Sequence, residues 1–149
     1  MRLSRHQHKC YRQTKFDTGP KTRRQLSRKL ELSLLDINMD TLTDRKSYVK
    51  ATNADGLCIL EATATWCSQC KAIAPFVDKM MEKYPDARYY KYDTDTADDI
   101  SQELGANQMP TFHAFKDGDL LGSVTGAKAA ALENLIKENY DGKVVDSTD

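Results

Sequence analysis

The order of apolar and polar residues along the chain predicts alternating strands and helices. Positions 57–60 form an uninterrupted apolar run after a turn signal, as expected for a central strand buried on both faces. A helical stripe follows, with apolar residues at i, i+3, i+4, i+7, i+8 and i+11 from position 73, and Pro85 ends it. The other predicted strands cover residues 32–37, 88–93, 111–116 and 120–125, and the other predicted helices cover residues 43–51, 97–104 and 132–140.

These elements follow one another in the order β-α-β-α-β-α-β-β-α. Helices that connect successive strands are typical of a parallel sheet, whereas Asp117-Gly118 between two strands is a hairpin signal. The sequence therefore predicts an α/β domain over residues 31–149, with a central mixed β-sheet flanked by helices.

The charges divide the chain into two parts. Residues 1–30 contain ten basic residues and one acidic residue, a net charge of +9, while residues 31–149 carry −9. The overall charge of zero is thus a cancellation. Because residues 1–30 have few apolar side chains, burial cannot offset their chain entropy, and we predict a basic N-terminal extension that is disordered or loosely helical.

The composition of this extension leaves several roles open. A basic, acid-poor segment with some Ser and Thr is typical of a mitochondrial transit peptide, but a solvated tail and a nucleic-acid arm are alternatives. No aromatic platform accompanies it, so nucleic-acid binding is not expected. No apolar segment follows Met1, and no run approaches the roughly 18 apolar residues of a membrane helix. We expect an intracellular protein, cytoplasmic or mitochondrial, that is neither secreted nor membrane-bound.

The strongest chemical signal is the sequence WCSQCK at residues 66–71, between the buried strand and the long helix. Cysteines at i and i+3 in a first helical turn lie within reach of each other for a disulfide. Cys67 would stand at the helix N-terminus, where free N–H groups and the helix dipole stabilise a thiolate nucleophile. Cys70, one turn deeper, can then resolve the mixed disulfide.

A zinc site is the alternative to redox chemistry at a CxxC sequence. Tetrahedral zinc needs four ligands, and the remaining candidates are Cys58 in the buried strand and a basic-tail tract, His6-x-His8-x-Cys10. The strand–helix context favours redox chemistry, so we expect no metal and no cofactor beyond the cysteine pair. Residues 93–99 are rich in Asp but lack the glycine and distal Glu of a calcium loop, which indicates a solvated turn.

Over residues 32–140 the chain resembles the thioredoxin family. This range covers nearly all of the acidic part of the chain, residues 31–149. The matching features are WCSQCK at 66–71, Ala74-Pro75, MPTF at 109–112, KDG at 116–118, Gly126-Ala127, Glu61 in place of a buried Asp, and its partner Lys91. The resemblance implies the thioredoxin fold and a cis peptide bond before Pro110.

The resemblance also implies roles for individual residues. Trp66, Met109, Pro110 and Gly126 would contact the substrate around the disulfide. Glu61 follows an apolar run, so poor solvation would raise its pKa and let it take the proton of Cys70. Lys91 would be its partner, although a structural role for Glu61 at the strand end remains an alternative.

We therefore expect a thiol–disulfide oxidoreductase, a monomeric protein-disulfide reductase acting on disulfide-containing proteins. Its electrons would come from a thioredoxin-reductase-type flavoenzyme or from glutathione. A thiol oxidase or isomerase and a non-catalytic binding module with the same fold are the alternatives.

The chain departs from the family at the residues between the cysteines, where Ser68-Gln69 replaces the usual Gly-Pro. We expect this change to make the disulfide less reducing than that of a typical thioredoxin. Thr63 replaces a common aromatic. Two further residues are assigned to the core: His113 as packed or hydrogen-bonded, and Cys58 as an inert buried thiol.

Overall fold

A computed structural model describes residues 39–146, in which strands and helices alternate along the chain. The strands are β1 (Asp40–Thr41), β2 (Leu57–Thr63), β3 (Arg88–Asp93), β4 (Thr111–Lys116) and β5 (Asp119–Thr125). The helices are α1 (Arg45–Thr52), α2 (Ser68–Lys83), α3 (Asp98–Leu104) and α4 (Ala129–Asn139).

The five strands form one mixed sheet in the order β1-β3-β2-β4-β5. β3 runs parallel to both β1 and β2, because helices carry the chain back between these strands. β4 runs antiparallel to β2, and the tight turn at Asp117-Gly118 returns the chain as antiparallel β5. Both residues of that turn have positive φ, the conformation that hairpin turns of this kind require.

β2 is buried along its length because it lies in the centre of the sheet with helices on both faces. Leu57 and Ile59 pack on one face with apolar side chains of α2 and α4. Cys58 and Leu60 pack on the other face with side chains of α1 and α3. Full burial of one such aliphatic side chain contributes about 1.5–3 kcal/mol, so this uninterrupted apolar run is the main anchor of the sheet.

Local signals set the ends of the helices. The Asp44 side chain accepts a hydrogen bond from the Ser47 N–H at 2.7 Å, and the Ser47 hydroxyl accepts one from the Asp44 N–H, which caps α1. Gly105 ends α3 in the left-handed conformation, with φ 61°. Helix α2 begins at Ser68, before the apolar stripe, continues through Pro75 and ends at Lys83, close to the end that the stripe and Pro85 predicted.

The predicted elements within residues 39–146 are confirmed, with boundaries that differ by a few residues. The central strand continues past the apolar run to Thr63, and α1 begins at Arg45 rather than at position 43. The strand predicted at residues 32–37 and the basic extension at residues 1–30 lie outside the described residues. The first described strand is the short β1.

The helices of residues 39–146 do not meet the requirements of a membrane span. None of these helices has both the length and the apolar composition to cross a bilayer.

Candidate active site

Cys67 is the N-cap residue of α2, directly after the loop that leaves β2. Its Sγ accepts a hydrogen bond from the backbone N–H of Cys70 at 3.1 Å. The N–H groups of the first helical turn have no partners within the helix, and they carry the positive end of the helix dipole. This position favours a negative charge on the Cys67 sulfur, as the sequence predicted.

Cys67 and Cys70 form a disulfide, with their Cα atoms 5.4 Å apart. Both residues are largely buried, at 4% and 6% exposure, and they pack with Ala64 and Met109. The predicted i, i+3 disulfide across the first helical turn is therefore present. Because Cys67 lies at the end of the helix and Cys70 one turn inside it, the two sulfurs meet different surroundings.

The loop before β4 lies against this disulfide. The peptide bond between Met109 and Pro110 is cis, as the resemblance implied. The Gly126 N–H donates a hydrogen bond to the carbonyl oxygen of Pro110 at 2.7 Å, and Gly126 adopts a φ of 88° that favours glycine. The Thr111 hydroxyl donates to the carbonyl oxygen of Gln108 at 2.6 Å. The loop is thus held from both sides of the cis bond.

A surface cleft of about 390 Å³ runs between the start of α2 and this loop. Its lining residues are Trp66, Cys67, Ser68, Gln69, Asn107, Gln108 and Met109. The cleft therefore gives an incoming chain access to Cys67, and it brings together Trp66 and Met109, two of the residues that the resemblance assigned to substrate contact.

Trp66 is the most exposed large apolar side chain of the described residues, at 65%. Its Nε1–H donates a hydrogen bond to Oδ2 of Asp95 in the β3–α3 loop, at 2.8 Å. The Asp95 N–H in turn donates to Oδ1 of Asp93 at 2.8 Å. An exposed indole would otherwise sample several rotamers, so this bond fixes its position beside Cys67.

Glu61 lies on β2, in register with Lys91 on β3. Glu61 is only 5% exposed, and it lines a second cavity of about 380 Å³ together with Cys70 and Lys91. The structure therefore places the carboxyl group, the deeper cysteine and the lysine around one space. The three ion pairs among residues 39–146 do not include Glu61 with Lys91, so the lysine acts on the carboxyl group through its field.

Burial raises the pKa of Glu61 to about 7. The positive charge of Lys91 lowers this pKa and the negative charge of Asp78 raises it, but the loss of hydration is the largest cause. A carboxyl group with such a pKa is partly protonated near neutral pH. Near neutral pH it is therefore able to accept a proton from a neighbouring thiol and to give that proton up again.

The other two singled-out core residues behave as predicted. Burial lowers the pKa of His113, and its Nδ1 is hydrogen-bonded to the Ser123 hydroxyl at 2.9 Å. Cys58 is fully buried, and burial raises the pKa of its thiol to about 11, so it stays protonated. Neither side chain lines the two cavities at the disulfide.

Residues 39–146 contain no group of three or more His, Cys, Asp or Glu side chains able to hold a metal ion. The Asp-rich residues 93–99 end β3, form a turn and begin α3, with Asp98 and Asp99 in the first helical turn. The tract from His6 to Cys10 lies outside the described residues.

Sequence reasoning missed three contributors to the site, Asp95, Asn107 and Gln108. Asp95 was assigned only to a solvated turn, and its bond to Trp66 joins residues 29 positions apart. Asn107 and Gln108 line the cleft together with Gln69, which the sequence marks as a departure from the family. Proximity to Pro110 in the sequence was the available signal for Asn107 and Gln108.

Comparisons with known proteins agree with this geometry. A family model described as Thioredoxin matches residues 25–138. A thioredoxin of Aspergillus fumigatus is 39% identical over 103 residues, which is 67% of this chain and 94% of the relative. The mitochondrial thioredoxin-3 of Saccharomyces cerevisiae is 37% identical over 100 residues, which is 67% of this chain and 76% of the relative.

A solved structure shows the same similarity to thioredoxins in the fold. The crystal structure of oxidised mitochondrial thioredoxin 3 from Saccharomyces cerevisiae superposes with a TM-score of 0.66 at 36% identity, covering 67% of this chain and 94% of that one. Its fold is the mixed sheet flanked by helices described above. This chain belongs to the thioredoxin family and is a thiol–disulfide oxidoreductase, a protein-disulfide reductase whose redox group is the Cys67–Cys70 disulfide.

Proposed function

We propose that the reduced protein acts through a Cys67 thiolate, which attacks one sulfur of a protein disulfide. A mixed disulfide forms between Cys67 and the substrate, and the other substrate sulfur leaves as a thiolate that takes up a proton. The Cys70 thiolate then attacks the Cys67 sulfur, releases the second substrate thiol and closes the Cys67–Cys70 disulfide. Two electrons pass to the substrate in each cycle.

The position of Cys67 carries this assignment. It is the N-cap of α2 and it lines the cleft bordered by Trp66 and Met109, whereas Cys70 lines the other cavity, which also contains Glu61. A nucleophile needs access to the substrate, and a resolving thiol needs a base. The two cavities provide these two environments on opposite sides of one disulfide.

Glu61 is the base in this proposal. Because its pKa is raised to about 7, it accepts the proton of the Cys70 thiol as Cys70 attacks the mixed disulfide. Lys91 lies in register on the next strand and stabilises the carboxylate that the folded protein would otherwise disfavour. The proton returns to solvent through the cavity that the three side chains share.

The substrate segment would lie in the cleft as an extended chain. Trp66 and Met109 provide apolar contact on either side of Cys67, and the loop at Pro110, tied to Gly126, borders the cleft. An extended peptide in such a place forms main-chain hydrogen bonds to a loop or strand edge, which is a common mode of peptide recognition.

The electron donor in this proposal is a thioredoxin-reductase-type flavoenzyme, with glutathione as the second candidate. Both donors reduce a disulfide through thiol chemistry and need no cofactor on this chain. The proposed working form is a monomer, because one chain contains both cysteines, the base and the cleft. Sedimentation velocity at micromolar concentration tests this form, and a dimeric boundary would contradict it.

Insulin reduction tests the proposed cycle. The oxidised protein is mixed with NADPH, a thioredoxin reductase and insulin, and NADPH consumption is followed with time. We expect turnover by the native chain, none by Cys67→Ser, and a trapped mixed disulfide with Cys70→Ser. Turnover by glutathione and not by the flavoenzyme would reassign the donor, and equal rates for the native chain and Cys67→Ser would refute the mechanism.

We further propose that residues 1–30 are a separate mitochondrial targeting segment joined to a redox domain at residues 31–149. The basic, acid-poor composition supports this role, and one relative is described as mitochondrial. A fluorescent fusion of the full chain should enter mitochondria, whereas a fusion of residues 31–149 should remain in the cytoplasm. The same location for both fusions would contradict the targeting role.

A further inference from the structure

The cleft in front of Cys67 has an unusual balance of polar and charged groups. Of its seven lining residues, Cys67 is the single one with an ionisable side chain, and that sulfur is the reacting atom. The other polar groups are one hydroxyl, on Ser68, and three carboxamides, on Gln69, Asn107 and Gln108. The cleft therefore provides hydrogen-bonding groups on its walls without a fixed charge.

The carboxamides stand on both sides of the reacting sulfur. Gln69 lies in the first turn of α2, and Asn107 and Gln108 lie in the loop just before the cis bond at Pro110. All three side chains are exposed. Within residues 39–146 none of them forms a hydrogen bond to another residue through its side chain, so their donors and acceptors remain available to a bound chain.

Asp95, a charged residue that contacts the cleft lining, is already engaged. Asp95 accepts the hydrogen bond of Trp66 and does not line the cleft itself. A charged substrate side chain that enters the cleft thus loses hydration and meets no opposite charge, which is unfavourable. An apolar side chain has no charge to desolvate, but it displaces water from the carboxamides and offers them no hydrogen bond in return.

We propose that Gln69, Asn107 and Gln108 determine substrate preference, and that this chain favours protein disulfides whose cysteines are flanked by uncharged polar residues. Each carboxamide has one acceptor oxygen and two N–H donors, so it pairs with Asn, Gln, Ser or Thr side chains and with the peptide backbone. The proposal rests on attack by Cys67 within this cleft, as proposed above.

The test uses disulfide-bridged peptides of one sequence that differ only at the two residues beside the reacting cysteine. These residues are Gln, Ala, Lys or Glu, and kcat/KM is measured for each peptide with the native chain at two salt concentrations. We expect the Gln peptide to exceed the Lys and Glu peptides by about fivefold or more, mainly through KM, the effect of about one hydrogen bond. Salt should not remove the difference, because no ion pair produces it.

Variants then locate the preference. Gln108→Ala should lower kcat/KM for the Gln peptide by about fivefold and change kcat/KM for the Ala peptide much less, and Asn107→Ala should act in the same way. Gln102→Ala is the matched control, because it removes an exposed carboxamide on α3 that is bonded to Asp98 and lies outside the cleft. This control should retain the native order of peptides.

Two results would overturn the proposal. One is equal kcat/KM for all four peptides with the native chain, and the other is an equal loss on every peptide in Gln108→Ala and Asn107→Ala. A failure of the underlying reaction looks different, because the native chain would then reduce neither insulin nor any of the four peptides. Insulin reduction by the same samples separates the two cases.

Discussion

Glu61 and Lys91 occupy directly paired positions on the parallel strands β2 and β3, with the deeper cysteine of the disulfide facing the same cavity. The carboxyl group is buried enough for its pKa to rise to about 7, while the lysine limits that rise. The pair thus sets a proton acceptor close to neutral pH beside Cys70. Two predictions follow from this relationship, one on rate and one on stability.

Glu61→Gln should keep the fold and slow insulin reduction, because the amide is isosteric but accepts no proton from Cys70. We expect a loss of about a hundredfold when resolution by Cys70 limits the rate. Lys91→Met is the matched variant: it removes the charge that lowers the Glu61 pKa, so it should shift the pH–rate profile to higher pH. The profile is measured from pH 6 to 9. An unchanged rate in Glu61→Gln over that whole range would exclude the proton-transfer role.

Glu61 should also make the protein less stable as the pH rises from about 4.5 to 7. In this window the folded protein retains a proton on Glu61 that the unfolded chain, with its ordinary pKa near 4.5, has released. The native state therefore loses roughly 3 kcal/mol of unfolding free energy across the window. Urea unfolding of the native chain and of Glu61→Gln at pH 5 and pH 8 measures this difference. Parallel changes in the two proteins would contradict it.

His113 should have the opposite effect on stability at acid pH. Burial lowers its pKa in the folded state, so below its ordinary value of 6.5 the unfolded chain binds a proton that the folded protein does not. The contribution of His113 to the unfolding free energy should fall by up to about 1.4 kcal/mol per pH unit below pH 6.5, opposite in sign to that of Glu61, and the difference between the native chain and His113→Leu isolates it. His113→Leu should remove this slope, and Ser123→Ala, which removes the hydroxyl partner and keeps the imidazole, should retain it. Urea unfolding between pH 5 and 7 provides the test.

Asp95→Ala should weaken substrate binding without changing the chemistry at the cysteines. The variant removes the acceptor of the Trp66 Nε1–H, so the exposed indole gains rotamers and must be ordered when a substrate binds. We expect KM for insulin to rise about fivefold at nearly constant kcat. Asp95→Asn retains an acceptor oxygen and should recover most of the loss. Trp66 is the single tryptophan, so fluorescence anisotropy reports its mobility directly; unchanged anisotropy in Asp95→Ala would contradict the anchoring role.

Ser68 and Gln69 should make the reduction potential less negative than about −270 mV, the value of a typical thioredoxin. Proline in a first helical turn restricts the backbone, and its absence here removes that restriction from the reduced form. Equilibration with glutathione measures the potential, and replacing both residues by Gly-Pro should lower it. A native potential at or below about −270 mV would refute the prediction. A potential near that of protein disulfide isomerase, about −180 mV, would favour oxidase or isomerase activity in the cell.

The central strand and the long helix were predictable because their signals are local. The apolar run beginning at Leu57 predicted a strand buried on both faces, and the 3.6-residue stripe that includes Ile73 and Val77 predicted α2. The strand continues to Thr63 because its backbone remains paired with β3 beyond the last apolar residue of the run. This pairing depends on how the strands meet in the folded protein, so the polarity of the side chains along β2 does not predict it.

The order of elements, the disulfide spacing and the position of Cys67 at a helix N-terminus were fixed by the amino-acid sequence, because each depends on residues close together in the chain. The degree to which Glu61 is buried, the bond between Trp66 and Asp95, and the cleft built from Gln69 and Gln108 were decided only by tertiary packing. These features join segments tens of residues apart, and a shift of one residue in strand register would send Glu61 to the opposite face of the sheet. Local periodicity determines which elements form, whereas desolvation and side-chain contact depend on how those elements meet.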